Sequence, residues 1–232
     1  MDKKKEGLSI VMPCRNEEAA LPTCIISAKR LLAELHVPGE IIVVDNGSTD
    51  DSALVASSFG ARVISEKRPG YGRALRTGMK AARYPVIAMG DADTTYDFHE
   101  LIPMYRLIKR GKCDIVIGSR FAGGIERGAM PISHKIGVRF LSSVGRLRYH
   151  VKVRDFHCGL RMIRRDAARK LSLHTTGMEF ATEMIAEAKR ADLRFGQTPV
   201  HLAVCHCDRR SKLHTIRDGI RHLHYMLYRG DL

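Results

Sequence analysis

Short apolar runs alternate with amphipathic stretches along the first 120 residues. The apolar runs are rich in β-branched residues and lie at residues 8–12, 40–44, 61–65, 85–89 and 114–118. The stretches with helical periodicity between them lie at residues 17–34, 50–59, 72–82 and 98–109. Continuously apolar strands separated by amphipathic helices predict a mostly parallel central sheet with helices on both faces. We therefore expect an α/β fold.

The alternation is less regular after residue 120. The pattern predicts helices at residues 135–149 and 178–191, a polar turn and strand at 155–161, and an apolar strand at 200–205. A last helix is predicted over 212–229, because its apolar residues recur every three or four positions, at Leu213, Ile216, Ile220, Leu223 and Leu227. We expect one large domain at residues 1–211, followed by a basic amphipathic helix at residues 212–232.

This last helix has two possible partners. Its basic residues would suit an anionic membrane surface, and they are Arg217, Arg221, His222 and Arg229. The same apolar stripe could equally pack on the domain or on a second subunit. The sequence leaves both open, and it does not indicate an oligomeric state.

The composition is that of a folded protein with a large basic surplus. Hydrophobic residues make up 44%, charged residues 28%, and the formal net charge is +14. Such a charge indicates an anionic partner, such as nucleic acid, phosphate-bearing ligands or an acidic membrane. The basic residues are dispersed, aromatic residues are 6%, and no nucleic-acid motif occurs, so nucleic acid is not the expected partner.

The cysteines and the N-terminus bear on location. The six cysteines lack metal-binding or disulfide-like spacing, which is typical of reduced thiols in the cytosol. The N-terminal sequence MDKKKEG has no apolar signal core, and no run of about 18 apolar residues occurs. A cytoplasmic protein is expected, with peripheral attachment to the inner face of the membrane left open.

Polar clusters follow four of the predicted strands, at residues 13–18, 45–48, 90–93 and 118–120. Each cluster on its own could be a turn, since Asp, Asn and Gly are common turn residues. Ligands of parallel sheets bind at the carboxyl ends of the strands. The recurrence of these clusters at equivalent positions therefore predicts a binding site at that edge.

Asp91 and Asp93 form the most informative cluster, with Ala92 between them. Two carboxylates on one side of the chain repel each other unless a positive charge lies between them. Oxygen ligands favour Mg²⁺, Mn²⁺ or Ca²⁺ over zinc, and two carboxylates suit an ion that is completed by water and nucleotide phosphates. The candidate side chains for contact with those phosphates are Arg73, Arg120 and Arg161. Gly72 and Arg73 lie at the start of a predicted helix. This segment is either a helix N-terminus that lies near phosphate or a simple turn.

The motifs, taken in order, resemble glycosyltransferase family 2, which has the GT-A fold. They are a proline followed by Asn16-Glu17, then Val44-Asp45-Asn46-Gly47-Ser48, then Gly70-Tyr71-Gly72, then Asp91-Ala92-Asp93. Three later motifs look like those of the dolichyl- or polyprenyl-phosphate sugar transferases, namely Gly118-Ser119-Arg120, Cys158-Gly159-Leu160-Arg161 and Arg210-Ser211-Lys212-Leu213.

The resemblance implies a donor site for a nucleotide-diphosphate sugar. Pro13, Arg15 and Glu17 would line the base and ribose pocket together with Asn16, and Asp45 would hydrogen-bond the base. Asp91 would face the ribose and diphosphate, and Asp93 would bind the metal. Thr95 stands where the family often has another polar residue near the metal. Arg210, Ser211 and Lys212 would form a loop that closes over the donor.

The resemblance also implies roles on the acceptor side. Arg120 and Arg161 would hold the phosphate of a lipid acceptor or the departing diphosphate. A hydroxyl acceptor would need a general base, for which Asp155, Glu179 and Glu183 are candidates, whereas a phosphate acceptor would need none. Glu179 and Glu183 lie one helical turn apart, so they could instead form ion pairs or a solvated face.

The function expected from this sequence is a metal-dependent, inverting transfer of a hexose to a polyprenyl phosphate. UDP-glucose or GDP-mannose would be a donor of the expected type. Two alternatives remain open: the same donor chemistry on a soluble hydroxyl acceptor, or a non-catalytic protein that binds nucleotide sugars or nucleic acid.

Overall fold

A mixed β-sheet organises the protein. The computed structural model describes residues 6–205 and 215–229, and in that part of the chain the sheet has seven strands. They are β1 (Leu8–Cys14), β2 (Gly39–Asp45), β3 (Arg62–Ser65), β4 (Val86–Met89), β5 (Ile115–Ser119), β6 (Arg161–Arg164) and β7 (Phe195–Pro199). Their order across the sheet is β3-β2-β1-β4-β6-β5-β7.

Helices connect these strands. They are α1 (Leu21–Leu35), α2 (Ser52–Ser58), α3 (Tyr71–Ala81), α4 (Leu101–Lys109), α5 (Arg120–Gly123), α6 (Ile132–Tyr149), α7 (Arg165–Ala168), α8 (Phe180–Arg190) and α9 (Thr215–His224). A 3₁₀ turn at Phe98–Glu100 precedes α4, and a π-helical turn at Tyr225–Arg229 follows α9. None of the helices in the described part of the chain combines the length and the apolar character needed to span a bilayer.

Strand direction decides which residues meet at each edge of the sheet. β1 pairs in parallel with β2 and β4, β2 with β3, and β5 with β7. β6 is antiparallel to both of its neighbours, β4 and β5. The carboxyl ends of β1, β2, β4 and β5 therefore lie at the same edge as the first residue of β6. The predicted mostly parallel α/β sheet is confirmed.

Most residues of β1, β2 and β4 are apolar because helices cover the sheet. Ile10, Ile42 and Ile87 are fully buried in β1, β2 and β4. Burying a side chain of this size contributes about 1.5–3 kcal/mol each. Helix α3 packs closely on β1 and β2, since a Cβ added at Gly78 would overlap Val11. This contact holds the start of α3 near the edge where the polar clusters lie.

One predicted strand is wrong, and one observed strand was not predicted. The expected strand at residues 200–205 is wrong, because its backbone pairing in the described structure is limited to a single bridge between Leu202 and Ile125. The last strand of the sheet is instead β7, which the apolar pattern missed. Its sequence is FGQTP and its side chains are mostly half-exposed, as expected of an edge strand, so it carries no apolar run.

Helix α9 packs against α6 and α8. Arg221 donates a hydrogen bond of 2.6 Å to Oε1 of Glu179, and His222 Nδ1 lies 2.7 Å from Oγ1 of Thr182. Ile220 and Leu227 stay 62% and 53% exposed. Two of the basic residues expected to face outward thus make the contact with the domain, while part of the apolar stripe faces solvent. The predicted Leu213 lies outside the described residues, and the division into two units at residue 211 stays a prediction.

Candidate active site

The acidic pair lies at the carboxyl end of β4, beside the centre of the sheet. Gly90 continues the strand for one residue, since its N–H donates to the carbonyl of Val11 at 3.2 Å. Asp91 follows and accepts a hydrogen bond of 2.9 Å from the hydroxyl of Tyr71, at the start of α3. Gly159 lies against the same carboxylate, and a Cβ added there would overlap Oδ2 of Asp91. Three separate segments therefore position Asp91.

Burial and the neighbouring charge perturb the titration of Asp91. Burial and the negative charge of Asp93 together raise the pKa of Asp91 to about 7, although the hydrogen bond from Tyr71 and the charge of Arg120 oppose the rise. A cation between the two groups would relieve both the repulsion and the cost of burying charge. Their oxygen atoms are the donors that Mg²⁺ or Mn²⁺ prefers, so the residues present fit such an ion.

Asp93 is held by the turn that follows it. Oδ1 of Asp93 accepts from the backbone N–H of Thr95 at 3.1 Å and from the Thr95 hydroxyl at 2.6 Å. Thr94 has a φ of 64°, so the chain turns here instead of staying extended. In this structure the Thr95 hydroxyl orients the Asp93 carboxylate, and it does so from the position where the resemblance implied a group near the metal. Ala92, between the two acids, is 2% exposed and packs into the core.

The predicted base and ribose residues come together at the ends of β1 and β2. Oδ1 of Asn16 accepts from the N–H of Thr49 at 2.7 Å, and the N–H of Asn16 donates to Oγ of Ser48 at 3.0 Å. Oδ1 of Asp45 accepts from the N–H of Ser48 at 3.0 Å. These contacts join the loops that follow β1 and β2, and the two loops together form one wall at the carboxyl edge of the sheet.

Three more residues of the predicted donor site belong to this wall. Pro13 is half-buried at the end of β1, Arg15 is exposed and Glu17 is buried. The charge of Glu17 contributes to raising the pKa of Asp91, so the two carboxylates share one electrostatic environment. The individual donor contacts of Pro13, Arg15, Asn16, Glu17 and Asp45 stay predictions.

Asn46 is a positioning residue that the sequence analysis did not single out. Its side-chain amide donates to the carbonyls of Glu66 and Arg68 at 2.9 and 2.8 Å, and its Oδ1 accepts from the N–H of Gly70 at 2.7 Å. It thereby fastens the loop between β3 and α3 to the end of β2. The available signal was an asparagine between a buried strand and Gly47, whose φ is 79°.

The start of α3 is covered by protein. A Cβ added at Gly72 would press on Phe180 and on the carbonyl of Gly177, and the N–H of Arg73 points at the carbonyl of Thr176 at 3.4 Å. Of the two interpretations of this segment, the packing favours a turn over a phosphate cradle. Arg73 is half-buried, and its Nε has no hydrogen-bond partner among the described residues.

Arg120 and Asp155 form a buried ion pair at the end of β5. Nε and Nη2 of Arg120 donate to the two carboxylate oxygens of Asp155, each at 2.7 Å, and the backbone N–H of Arg120 donates at 3.1 Å. Arg120 is 6% exposed and Asp155 is fully buried. This geometry makes Asp155 the partner that holds Arg120, which favours a positioning role over that of a general base.

Arg161 is also committed to the protein. Its guanidinium donates to the carbonyls of Phe156, Cys158 and Ala181 at 2.5, 2.9 and 2.8 Å, and the residue is 3% exposed. These bonds shape the turn before β6 and attach it to α8. The structure therefore favours Arg161 as the support of this turn, and its contact with an acceptor phosphate stays a prediction.

The two glutamates of α8 hold the preceding loop. Glu183 accepts from the N–H groups of His174 and Thr175 at 2.8 to 3.1 Å and from the Thr175 hydroxyl at 2.5 Å. Glu179 accepts from Gly177 and from Arg221 of α9. Both side chains are buried. These contacts favour the ion-pair and structural interpretation for this helix, and the general-base role of Glu183 stays a prediction.

Arg210, Ser211 and Lys212 lie outside the described residues. Within residues 6–205 and 215–229, no cluster of three or more histidine, cysteine, aspartate or glutamate side chains could hold a metal. The pair Asp91 and Asp93 is thus the arrangement that the described residues offer to a cation.

The mostly parallel sheet gathers acidic and basic groups at its carboxyl edge, as expected of the GT-A glycosyltransferases that the motifs resemble. The family model described as "Glycosyl transferase family 2" matches residues 9–172. The chain belongs to this family and is a glycosyltransferase, as the motifs implied.

Curated relatives agree with this assignment. "Low-salt glycan biosynthesis hexosyltransferase Agl6" of Haloferax volcanii is 38% identical over 221 residues, covering 95% of this chain and 53% of the relative. This chain thus spans about half of that protein. An uncharacterized glycosyltransferase of Mycobacterium tuberculosis is 33% identical over 190 residues, covering 82% of each chain. A "Dolichyl-phosphate hexose transferase" of H. volcanii is 28% identical over 196 residues, covering 84% and 82%.

Solved structures confirm the fold. Glucosyl-3-phosphoglycerate synthase from M. tuberculosis, in complex with Mn²⁺, UDP and glucosyl-3-phosphoglycerate, matches with a TM-score of 0.75 and 24% identity, covering 98% of this chain and 81% of that one. The same enzyme with phosphoglyceric acid matches with a TM-score of 0.74. The predicted GT-A fold is therefore confirmed.

Proposed function

We propose that this glycosyltransferase moves a hexose from a nucleotide-diphosphate sugar to a polyprenyl phosphate, with Mg²⁺ or Mn²⁺ as cofactor. The observation that carries the proposal is the pair Asp91 and Asp93 at the carboxyl edge of the sheet, with the pKa of Asp91 raised to about 7. Asp91 keeps a raised pKa despite the nearby charge of Arg120, and a cation beside the two carboxylates would relieve their repulsion.

Asp93, and Asp91 beside it, would hold the ion. When bound, a divalent ion neutralises charge on the diphosphate leaving group. The chain's own residues orient the acids, through Thr95 for Asp93 and through Tyr71 for Asp91. The loops joined by Asn16 and Asn46 would form the wall for the nucleoside.

The lipid acceptor is supported by two features of the chain and its relatives. A relative at 28% identity is named a dolichyl-phosphate hexose transferase. The described residues assign most of the candidate bases to structural contacts, since Asp155 pairs with Arg120 and Glu183 caps a loop. A phosphate acceptor is already an anion and needs no base, whereas a hydroxyl acceptor does. Contact of α9 with a membrane surface belongs to the same proposal, because Ile220 and Leu227 remain exposed.

A transfer assay tests the proposal. Purified protein is given UDP-glucose or GDP-mannose with Mn²⁺, with and without a detergent-solubilised polyprenyl phosphate, and release of the nucleotide diphosphate is measured. We expect release that requires both the lipid and the metal. Asp93→Asn should lower the rate by at least about a hundredfold, the scale of removing one electrostatic contact at a transition state.

Asp51→Asn is the matched control, because Asp51 is exposed and its side chain does not cap α2. It should retain the wild-type rate. Release that needs the metal but occurs only with soluble hydroxyl or phosphate acceptors would overturn the lipid acceptor while leaving the donor chemistry intact. A donor that raises the melting temperature without any turnover on either acceptor class would contradict catalysis itself.

A further inference from the structure

Helix α6 carries a row of large apolar side chains that no described part of the protein covers. Ile132, Ile136, Phe140 and Leu147 are 76%, 64%, 60% and 77% exposed. They are spaced by four, four and seven residues, so they form one stripe along the helix. We call these four residues the α6 stripe. An exposed apolar row of this length indicates a surface that meets something other than water.

The opposite side of α6 packs firmly against the domain. On the inner side of α6, Val138 and Tyr149 are 3% and 0% exposed. Ser142 is also buried, and its Oγ accepts a hydrogen bond of 3.2 Å from the N–H of Phe156. A Cβ added at Gly145 would press on the ring of Phe156. The helix is therefore fixed to the domain along one side and presents the stripe on another.

A basic row runs beside the stripe. Lys135, Arg139 and Arg146 each precede a stripe residue by one position, so at 100° per residue they line one flank of it. The whole helix, ISHKIGVRFLSSVGRLRY, contains no acidic residue. Apolar residues flanked by lysine and arginine are the pattern of helices that lie in the interface of an anionic membrane.

A groove at the start of α6 extends the same surface. It has a volume of about 380 Å³ and is lined by Phe121, Ile125, Ile132, Lys135, Ile136 and Arg139. The guanidinium carbon of Arg139 lies 4.7 Å from the centroid of the Phe121 ring. Phe121 directly follows Arg120, the basic residue at the end of β5. The stripe thus adjoins the segment that follows β5 at the carboxyl edge of the sheet.

We propose that the α6 stripe and its basic flank dock this enzyme on an anionic lipid surface. The inference rests on the proposed function for its purpose, because a surface-bound enzyme would meet a lipid acceptor at the membrane. The neighbouring α9 would assist, since it contacts α6 and leaves Ile220, Leu227 and Tyr228 exposed.

Charge argues against a second copy of the chain as the occupant. A twofold interface places the same patch on both subunits. Two α6 helices would then bring their basic rows together with no acid on either helix to pair with them. Nucleic acid is also disfavoured, because it would leave the apolar side chains of the stripe without apolar partners. Anionic lipid satisfies the apolar stripe and the basic flank together.

Vesicle binding measured without any donor tests the docking surface. Wild-type protein should co-sediment with vesicles of equimolar phosphatidylcholine and phosphatidylglycerol and bind pure phosphatidylcholine more weakly. Ile136→Ser/Phe140→Ser should lower partitioning into the anionic vesicles by about tenfold or more, because two apolar side chains that would enter the bilayer are lost. Arg139→Gln/Arg146→Gln should lower it by about tenfold on anionic vesicles, and added salt should reduce the difference.

Leu54→Ser is the matched control. Leu54 is 68% exposed, but it lies on α2, which packs against β2 and β3 at the other end of the sheet. This variant should bind vesicles within about twofold of wild type, because exposed apolar area away from the docking surface does not contribute. Equal vesicle binding by wild type and Ile136→Ser/Phe140→Ser would overturn the proposal.

Two further outcomes would also overturn it. One is no binding of wild type to either kind of vesicle. The other is a dimer in light scattering that disappears in Ile136→Ser/Phe140→Ser, since the stripe would then be an interface between copies. Transfer to detergent-solubilised polyprenyl phosphate separates the two proposals. Vesicle binding that depends on the α6 stripe, without transfer to polyprenyl phosphate, would contradict the proposed acceptor and support the docking surface.

Discussion

The hydroxyl of Tyr71 donates a 2.9 Å hydrogen bond to Oδ1 of Asp91, and this bond joins the first turn of α3 to the acidic pair after β4. The contact stabilises the ionised form of Asp91 against burial and against the charge of Asp93, which both raise the pKa of the carboxyl. Tyr71 is thus a positioning residue for the carboxylate that would lie beside the metal.

Tyr71→Phe should weaken the response to metal while leaving the fold intact. Loss of a hydrogen bond to a charged group costs about 1.5–3 kcal/mol, so we expect the Mn²⁺ concentration for half-maximal transfer to rise about tenfold. Titration of Mn²⁺ in the transfer assay measures this. Tyr105→Phe is the control, because the Tyr105 hydroxyl is buried and has no hydrogen-bond partner among the described residues. A metal response unchanged in Tyr71→Phe would contradict the role.

Gly159→Ala should damage the site more than the fold. The added methyl would overlap Oδ2 of Asp91, so the carboxylate would have to move. Misplacement of a catalytic contact commonly costs about a hundredfold, so we expect kcat/KM to fall by roughly that factor. Gly137→Ala, in the middle of α6, meets no atom within 4 Å and should keep full activity and gain up to about 1 kcal/mol of stability. Equal kcat/KM values in the two variants would be inconsistent with this packing.

Asp155→Asn should strongly lower the free energy of unfolding. It leaves Arg120 buried without its carboxylate partner, and breaking a buried ion pair in this way costs about 3–5 kcal/mol. Urea denaturation measures the change. Asp166→Asn removes one of the two carboxylate partners of Arg164 at the surface, where the Asp166 side chain is 61% exposed, and should cost less than about 1 kcal/mol. Similar losses in both variants would show that the Arg120 pair is not buried as described.

Acidification should destabilise the protein through two buried histidines. The rings of His157 and His222 lie 4.3 Å apart, centroid to centroid. Burial lowers the pKa of His222 from 6.5 to about 4, and burial together with the charge of His222 lowers that of His157 well below 6.5. The unfolded chain therefore binds more protons than the folded one. Stability should be complete above pH 6.5 and fall as the pH drops towards about 4.

Melting temperatures across this pH range check the expectation. His222→Gln should reduce the slope of stability against pH, and the slope that remains should come from His157. His201→Gln is the control, because His201 is exposed and should leave the slope unchanged. A slope that is the same in all three proteins would assign the acid sensitivity to other groups.

The fold was predictable because its signal is local. A strand covered on both faces is a nearly continuous apolar run, as in most of β1, β2, β4 and β5, and such runs are visible in the sequence. β7 was missed because an edge strand needs no apolar run, and its pairing with β5 is a contact between distant segments. The run at residues 200–205 misled because apolar side chains can be buried without strand pairing, as Val200 and Leu202 are.

The acidic pair and its place at the strand end were readable from the sequence, because strand ends and short-range spacing are properties of neighbouring residues. The partners of each charged group were not. Arg161 was a candidate for contact with phosphate, but it donates to three carbonyls from two different segments. Glu183 and Asp155 looked like candidate bases, but each accepts hydrogen bonds from residues brought near by the fold.

The sequence by itself determined the α/β class, the edge of the sheet where chemistry-bearing residues gather and the identity of the acidic pair, since these follow from periodicity and strand order. Only the tertiary structure decided which charges face a ligand and which hold the protein together. The reason is physical: a buried charge must find partners, and those of Arg120 and Arg161 come from other segments of the chain. The exposed α6 stripe emerged for the same reason, because only the packed molecule shows which apolar face is left uncovered.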